Sequence, residues 1–281
     1  MNFHVVTLFP EVVDAYARAS ILGRAQKDEK LSVTSYQLRD FVTNKWGKAD
    51  ERPYGGGPGM VLQAEPFVRA FEAIQQKIQT GLGTQQVVNL ISPSAKTTSK
   101  KNVNTTIYRS EPRQNEVVAS KYPEVKPREI RTKVLITSAG GKPLTNAYAK
   151  KLSKEENVII LCGRYEGIDA RVKKVIISLG AKVEEVSVGP YILTGGELPA
   201  LTIIDTTARQ IPGVLGKFES LEEGRVASHD TYTRPEVLEW KDKSGKEKKY
   251  RVPKVLLSGN HAQMDAWKDK KRSNPGTFAK K

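Results

Sequence analysis

Apolar and polar positions alternate along this chain with two periods, and the switches between them predict its elements. The run Asn2–Leu8 predicts a strand that is ended by Pro10, and a helix follows from Pro10 to Ala19 with proline at its start. Leu31–Gln37 carries the β-branched Val33 and Thr34 and predicts a second strand. Phe41–Met60, rich in glycine and charge, predicts a long loop. Ala64–Gln79 then has Phe67, Ala70, Phe71 and Ile74 at helical spacing. Val87–Ile91 predicts a strand, followed by an irregular basic stretch, roughly Ser94–Lys133. A strand Val134–Thr137, a Gly-Gly turn and a short helix Asn146–Leu152 come next. Val158–Cys162 is a continuous apolar run, the pattern of a strand buried on both faces. A helix Ala170–Ser178, a strand Ala181–Val186, a Gly-rich loop Ser187–Glu197 and a helix Leu198–Gln210 complete the series. Strands alternating with helices predict an α/β fold with a largely parallel sheet and helices on both faces.

A smaller C-terminal part follows. Ile211–Tyr232, with Pro212 and three glycines, predicts a linker. Lys241–Arg251 predicts a charged hairpin around Ser244-Gly245, and Ser258–Arg272 a helix capped by Ser258. The domain reading is therefore 1–210 for the catalytic body, with a basic insertion about 94–133. A linker at 211–232 and a short basic part at 233–281 follow.

Charge changes this picture more than composition does. At 281 residues, 38% hydrophobic and 27% charged, the chain is long enough for a core and reads as soluble and globular. No apolar run approaches a membrane span, the N-terminus has no signal-peptide pattern, and Cys162 is the single cysteine, so no internal disulfide exists. These features point to the cytoplasm. The net charge is +15. Ser94–Lys133 holds 10 basic against 4 acidic residues, and Lys241–Lys281 holds 13 against 4. The rest is formally neutral, which fits a compact core with two basic appendages that touch phosphates; solvated surface is the bland alternative.

No G-x-G-x-x-G, P-loop or H-E-x-x-H pattern occurs, which disfavours a nicotinamide site, a nucleotide P-loop and a zincin. The glycines fall in three other loops. Arg52–Met60 places four glycines among five residues, where backbone can approach a ligand or chain closely. Cys162-Gly163-Arg164-Tyr165-Glu166-Gly167-Ile168-Asp169 directly follows the buried strand, where open α/β sheets bind ligands. Structurally, Arg164 reads as an ion-pair partner of Glu166 or Asp169. Ser187–Glu197 interleaves apolar residues with glycine, a pattern that suits a flat heteroaromatic such as adenine.

Read together, these loops resemble the TrmD family of bacterial tRNA (guanine-N1)-methyltransferases. Further segments share the resemblance: Leu8-Phe9-Pro10-Glu11, Gly195–Ala200, Ile211–Gly216, Tyr232–Val237 and Leu256–His261. It covers most of Met1–Phe71 and Val134–Trp267. The resemblance implies a trefoil-knotted fold of the SPOUT class and an obligate homodimer with its active site at the subunit interface. It implies methyl transfer from S-adenosylmethionine to N1 of the guanine immediately 3′ of the anticodon in tRNA. The cofactor residues it implies are Ser138, Gly163, Tyr165, Glu166, Val188, Gly189, Pro190, Tyr191, Ile192, Leu193, Gly195, Gly196 and Pro199. Ser138 is placed by its spacing to Gly163, although Ser92-Pro93 has the more familiar local letters. Asp50, Gly59 and Arg234 fall on the substrate side, and a requirement for Mg2+ is compatible with the resemblance although no metal-ligand spacing announces one.

Methylating guanine N1 needs a base for its proton and a cation to offset charge on O6. Arg209 matches the family's catalytic arginine; its bland reading is a cation at a helix C-terminus. The family's acid position, four residues before the Tyr of Tyr232-Thr233-Arg234-Pro235, is Ser228 here. Asp230, two residues before Tyr232, is the nearest acid and the candidate base, with His229 beside it. The resemblance also implies a C-terminal helical region, expected to be shortened here after Trp267. Two alternatives stay open: another SPOUT-class enzyme acting on ribosomal RNA, and a degenerate member that binds RNA without catalysis.

Overall fold

The computed structural model describes residues 1–80, 131–215 and 230–272. Two compact units divide the chain, Met1–Val214 and Leu215–Lys281. Each is described by itself.

The first unit is built on a five-stranded sheet, all of whose ladders are parallel. Its strands are β1 (Asn2–Thr7), β2 (Ser32–Gln37), β5 (Thr132–Pro143), β6 (Asn157–Leu161) and β7 (Lys182–Ser187), and they lie in the order β2-β1-β6-β5-β7. Two-residue strands β3 (Asp50–Glu51) and β4 (Val61–Leu62) pair antiparallel beside it. Strand side chains alternate between faces, so each apolar strand feeds two cores. Phe3, Val5, Leu135, Val158 and Ile160 pack under α1 (Pro10–Ala17), α2 (Ser20–Lys27), α4 (Asn146–Leu152) and α6 (Glu197–Ala208). Val6, Val134, Ile136, Ile159 and Leu161 pack on the other face under α3 (Ala64–Thr80) and α5 (Arg171–Ser178). The result is the three-layer architecture expected of strands buried on both sides. Ile211 and Val214, at the start of the expected linker, still pack against the α1/α6 core.

The second unit holds a hairpin and two helices. Strands β8 (Val237–Lys241) and β9 (Glu247–Arg251) pair antiparallel, with Val237 opposite Arg251 and Lys241 opposite Glu247. The Asp242 carboxylate accepts the backbone N–H groups of Ser244 (2.9 Å) and Lys246 (3.2 Å), which fixes the turn. Helices α7 (Lys254–Leu257) and α8 (His261–Arg272) follow. No described helix is long and apolar enough to cross a membrane.

Four expectations need correction. The helix expected over Pro10–Ala19 stops at Ala17, and a second helix starts at Ser20, whose φ of 45° marks the break. The turn expected after Thr137 is a bulge within one long strand: Thr137 and Lys142 both pair with Val186, so residues 138–141 are extruded from the ladder. The long loop of residues 41–60 is interrupted by β3. Ser258 does not cap the long C-terminal helix; it ends α7, while the Asn260 side chain accepts the Gln263 N–H at 3.1 Å and caps α8. The expected strand Val87–Ile91 and nearly all of the basic stretch 94–133 lie outside the described residues.

Candidate functional site at the carboxyl edge of the sheet

The site begins at the end of β6. The Thr137 hydroxyl donates to the Leu161 carbonyl and accepts the Gly163 N–H, both at 3.3 Å, which ties the residue before the β5 bulge to the end of β6. The Gly196 N–H then donates to the Gly163 carbonyl at 2.7 Å, and Arg164 bridges to Gly195, so the loop after β7 is stitched to the loop after β6. This seam requires glycine at 196. A Cβ there would collide with the Thr137 hydroxyl and would stand 2.7 Å from the Gly163 nitrogen.

Beneath the seam lies a charge. Glu197, the first residue of α6, is 2% exposed. A buried carboxylate is stable only when its oxygens are satisfied. Here Oε1 accepts from the Thr7 hydroxyl at 2.6 Å and Oε2 accepts from the Arg164 guanidinium at 3.0 Å. The guanidinium also lies over the Phe9 ring, 4.4 Å from its centroid. The expected partners of Arg164 were Glu166 or Asp169. Asp169 instead binds Arg171 through both oxygens, at 2.9 and 2.6 Å, and those hydrogen bonds hold its carboxyl below the usual range. Burial, with the Glu197 charge adding to it, pushes the Cys162 thiol well above its ordinary pKa and favours its neutral form.

The bulge and the two loops line a half-open cavity of ≈ 550 Å³. Of the thirteen residues expected to hold a cofactor, Ser138, Gly163, Tyr165, Glu166, Val188, Gly189, Tyr191, Ile192, Leu193, Gly195, Gly196 and Pro199 line it. Pro190 does not; it is exposed between two residues that do. Ser138 lines the cavity because it stands in the extruded segment, whereas Ser92 lies outside the described residues. Pro199 falls in the first turn of α6, where its missing N–H costs nothing.

The first glycine loop docks on the second. Glu166 N–H donates to the Met60 carbonyl and Leu62 N–H to the Gly167 carbonyl, each at 3.0 Å. Gly59, at φ 86°, sits so close to Glu166 that a Cβ would stand 2.5 Å from its Oε1. Asp50 is held in β3 opposite Leu62. Arg209 is not brought to this cavity: it caps the C-terminal end of α6, twelve residues and about 18 Å from the end that faces the ligand side. Asp230 and Arg234 belong to the second unit and are exposed. Ser228 and His229 lie outside the described residues. Glu197 and Thr7 were missed as supports of the site, since nothing in the spacing of Gly195-Gly196-Glu197 announces a buried carboxylate.

The fold and the site together define a class, an α/β protein that offers a backbone-lined cavity at the carboxyl edge of a parallel sheet. Comparison narrows it. The family model described as tRNA (Guanine-1)-methyltransferase TrmD matches residues 1–122 and 113–280. A tRNA (guanine-N(1)-)-methyltransferase of Ruminiclostridium cellulolyticum is 36% identical over 272 residues, spanning 95% of this chain and 89% of its own length. The enzyme of the same name from Clostridioides difficile is 35% identical, spanning 95% and 90%, and that from Desulforamulus reducens is 33% identical, spanning 95% and 82%. The chain belongs to the TrmD family.

Proposed function

We infer that this chain is an S-adenosylmethionine-dependent tRNA (guanine-N1)-methyltransferase that modifies the guanine immediately 3′ of the anticodon, and so supports reading-frame maintenance. The observation that carries the reading is the convergence of the bulge and both glycine-rich loops on one cavity, in a chain of this family. The cavity fits the cofactor. Its walls offer the Gly195 backbone for polar edges, and Val188, Ile192 and Leu193 for a flat apolar ring. Bound there, S-adenosylmethionine supplies an electrophilic methyl group on a positively charged sulfur.

The rest of the chemistry falls to this chain's residues. Asp230 takes the proton from guanine N1, which frees the lone pair that forms the new N–C bond as the C–S bond breaks. Arg209 offsets the negative charge that develops on O6. Asp50, Gly59 and Arg234 meet the RNA. Support for Asp230 comes from its place two residues before Tyr232, with Ser228 where the family pattern has its acid. The distance of Arg209 from the cavity along α6 supports an active site completed across a homodimer, each copy lending its arginine to the other's cofactor. The knotted SPOUT connectivity, a cytoplasmic setting, the division at 210 and 232, and a Mg2+ requirement belong to the same reading. Nothing favours a ribosomal RNA substrate.

The test is methyl transfer from labelled S-adenosylmethionine to a tRNA with guanine 3′ of its anticodon, beside the same tRNA with adenine there. The expected result is guanine-dependent transfer that Asp230→Ala abolishes. Transfer that survives Asp230→Ala would move the base elsewhere. Cofactor binding without any transfer would leave an RNA-binding member of the family.

A further inference from the structure

The hairpin of the second unit has two unlike faces. Residues directly opposite one another in an antiparallel pair share a face. Leu238 opposite Tyr250, and Trp240 opposite Lys248, therefore form one face. Glu239 opposite Lys249, and Lys241 opposite Glu247, form the other. On the first face Trp240 is 69% exposed, Tyr250 53% and Leu238 51%. Neither ring stacks on another ring, and no hydrogen bond of either side chain is found, among the described residues. No described residue of the hairpin is buried.

Packing among the described residues of the second unit does not account for this face. A two-stranded hairpin is marginal alone in water, and its aromatics ordinarily secure it by burial against something. The surroundings say what that something is. Residues 237–251 hold six basic side chains against three acidic ones. Glu239 is taken by Lys249 at 2.7 Å and Asp242 by Lys248 at 3.2 Å. Lys241, Lys243 and Lys246 have no ion-pair partner among the described residues. An aromatic face with lysines at its turn end that have no ion-pair partner among the described residues is the combination that holds single-stranded nucleic acid, with bases on the rings and phosphates on the cations.

We propose that the Leu238–Trp240–Tyr250 face is a stacking surface for unpaired bases of the RNA substrate, with Lys243 and Lys246, in the turn beside it, on its phosphates. The proposal rests on the tRNA reading above and sharpens it: the second unit grips a loop rather than a duplex. Trp240 and Tyr250 are diagonal neighbours across the pair, about 7–8 Å apart at their backbones. That spacing lets adjacent bases each find a ring.

The experiment uses the full chain and its Trp240→Ala/Tyr250→Ala variant. Binding is measured by fluorescence anisotropy to an anticodon stem-loop and to a fully paired duplex of the same length, over a series of salt concentrations. The stem-loop affinity is expected to fall about ten-fold or more at every salt concentration. The salt slope and the duplex affinity stay unchanged, and Trp240→Phe/Tyr250→Phe restores most of the loss. Unchanged S-adenosylmethionine affinity in the variants shows that the first unit is intact, and unchanged duplex affinity shows that the second unit still folds. Full stem-loop affinity in the alanine variant, or an equal loss on the duplex, would overturn the proposal. So would a fall in sedimentation mass with RNA affinity kept, which would assign the face to a second copy. If the unaltered chain neither binds the stem-loop nor transfers methyl to tRNA, the tRNA reading itself fails, and that outcome is distinct from failure of the hairpin alone.

Discussion

The two units use charge in opposite ways. In the first, Glu197 is buried and every contact it makes is fixed: Thr7 on one oxygen, Arg164 on the other, and Phe9 under the guanidinium. In the second, Glu239 and Lys249 form an ion pair whose side chains are 55% and 59% exposed. The first arrangement sets the position of two loops before any ligand arrives. The second leaves its cations in water, ready to exchange solvent for phosphate. A site that must hold one small molecule in one pose needs the former, and a surface that must follow a long polyanion needs the latter.

Glu197→Ala should have the largest effect. It leaves Arg164 without its anion and Thr7 without its acceptor, and stability should fall by about 3–5 kcal/mol. Urea denaturation read by circular dichroism checks it; a loss below about 1 kcal/mol would mean that the buried pair is no more consequential than a surface one. A second expectation concerns His4, buried against Tyr36 and Asn157 in β1. Burial chiefly, and the Lys77 charge next, lower its pKa from 6.5 to about 4. The folded state thus favours the neutral ring. Its contribution is complete above pH 6.5 and is lost as pH falls from there towards 4, on the order of 3 kcal/mol in all. Denaturation midpoints should therefore drop between pH 7 and pH 5, and His4→Gln should flatten that slope.

Gly196→Val should come next in size. The added side chain wedges the seam between Gly163 and Thr137, at about 1–3 kcal/mol, and should weaken S-adenosylmethionine binding in isothermal calorimetry far more than tRNA binding. Equal losses of both would contradict a division of labour between the units. The smallest effect is expected at Lys249→Ala, where an exposed pair contributes about 0–1 kcal/mol and the melting temperature should barely move.

How much of this was legible in the sequence follows the same divide. Val158–Cys162 and Asn146–Leu152 announce their elements through unbroken apolarity and helical spacing, and both stand within a residue of their expected bounds. The site's lining was legible because glycine-rich loops after apolar strands mark the carboxyl edge of a parallel sheet. Glu197 was not, since a carboxylate at a helix start reads as a solvated residue favoured by the dipole. Its burial depends on Thr7 and Arg164, which are 190 and 33 residues away. The bulge at 138–141 was hidden for a related reason. Ser-Ala-Gly-Gly reads locally as a turn, and only the pairing of Lys142 and Pro143 with β7 shows that the strand resumes beyond it. Exposure of Trp240 and Tyr250 was equally invisible, because alternation in a short charged hairpin does not say which face is covered.

The most direct test of the central claim is to find where the methyl goes. After incubation of the full chain with S-adenosylmethionine and unmodified tRNA, nuclease digestion and mass spectrometry of the fragments would locate it. The methyl is expected as 1-methylguanosine at the single position 3′ of the anticodon, absent when that guanine is replaced. Methyl at any other nucleoside, or none from a chain that binds both cofactor and tRNA, would contradict it.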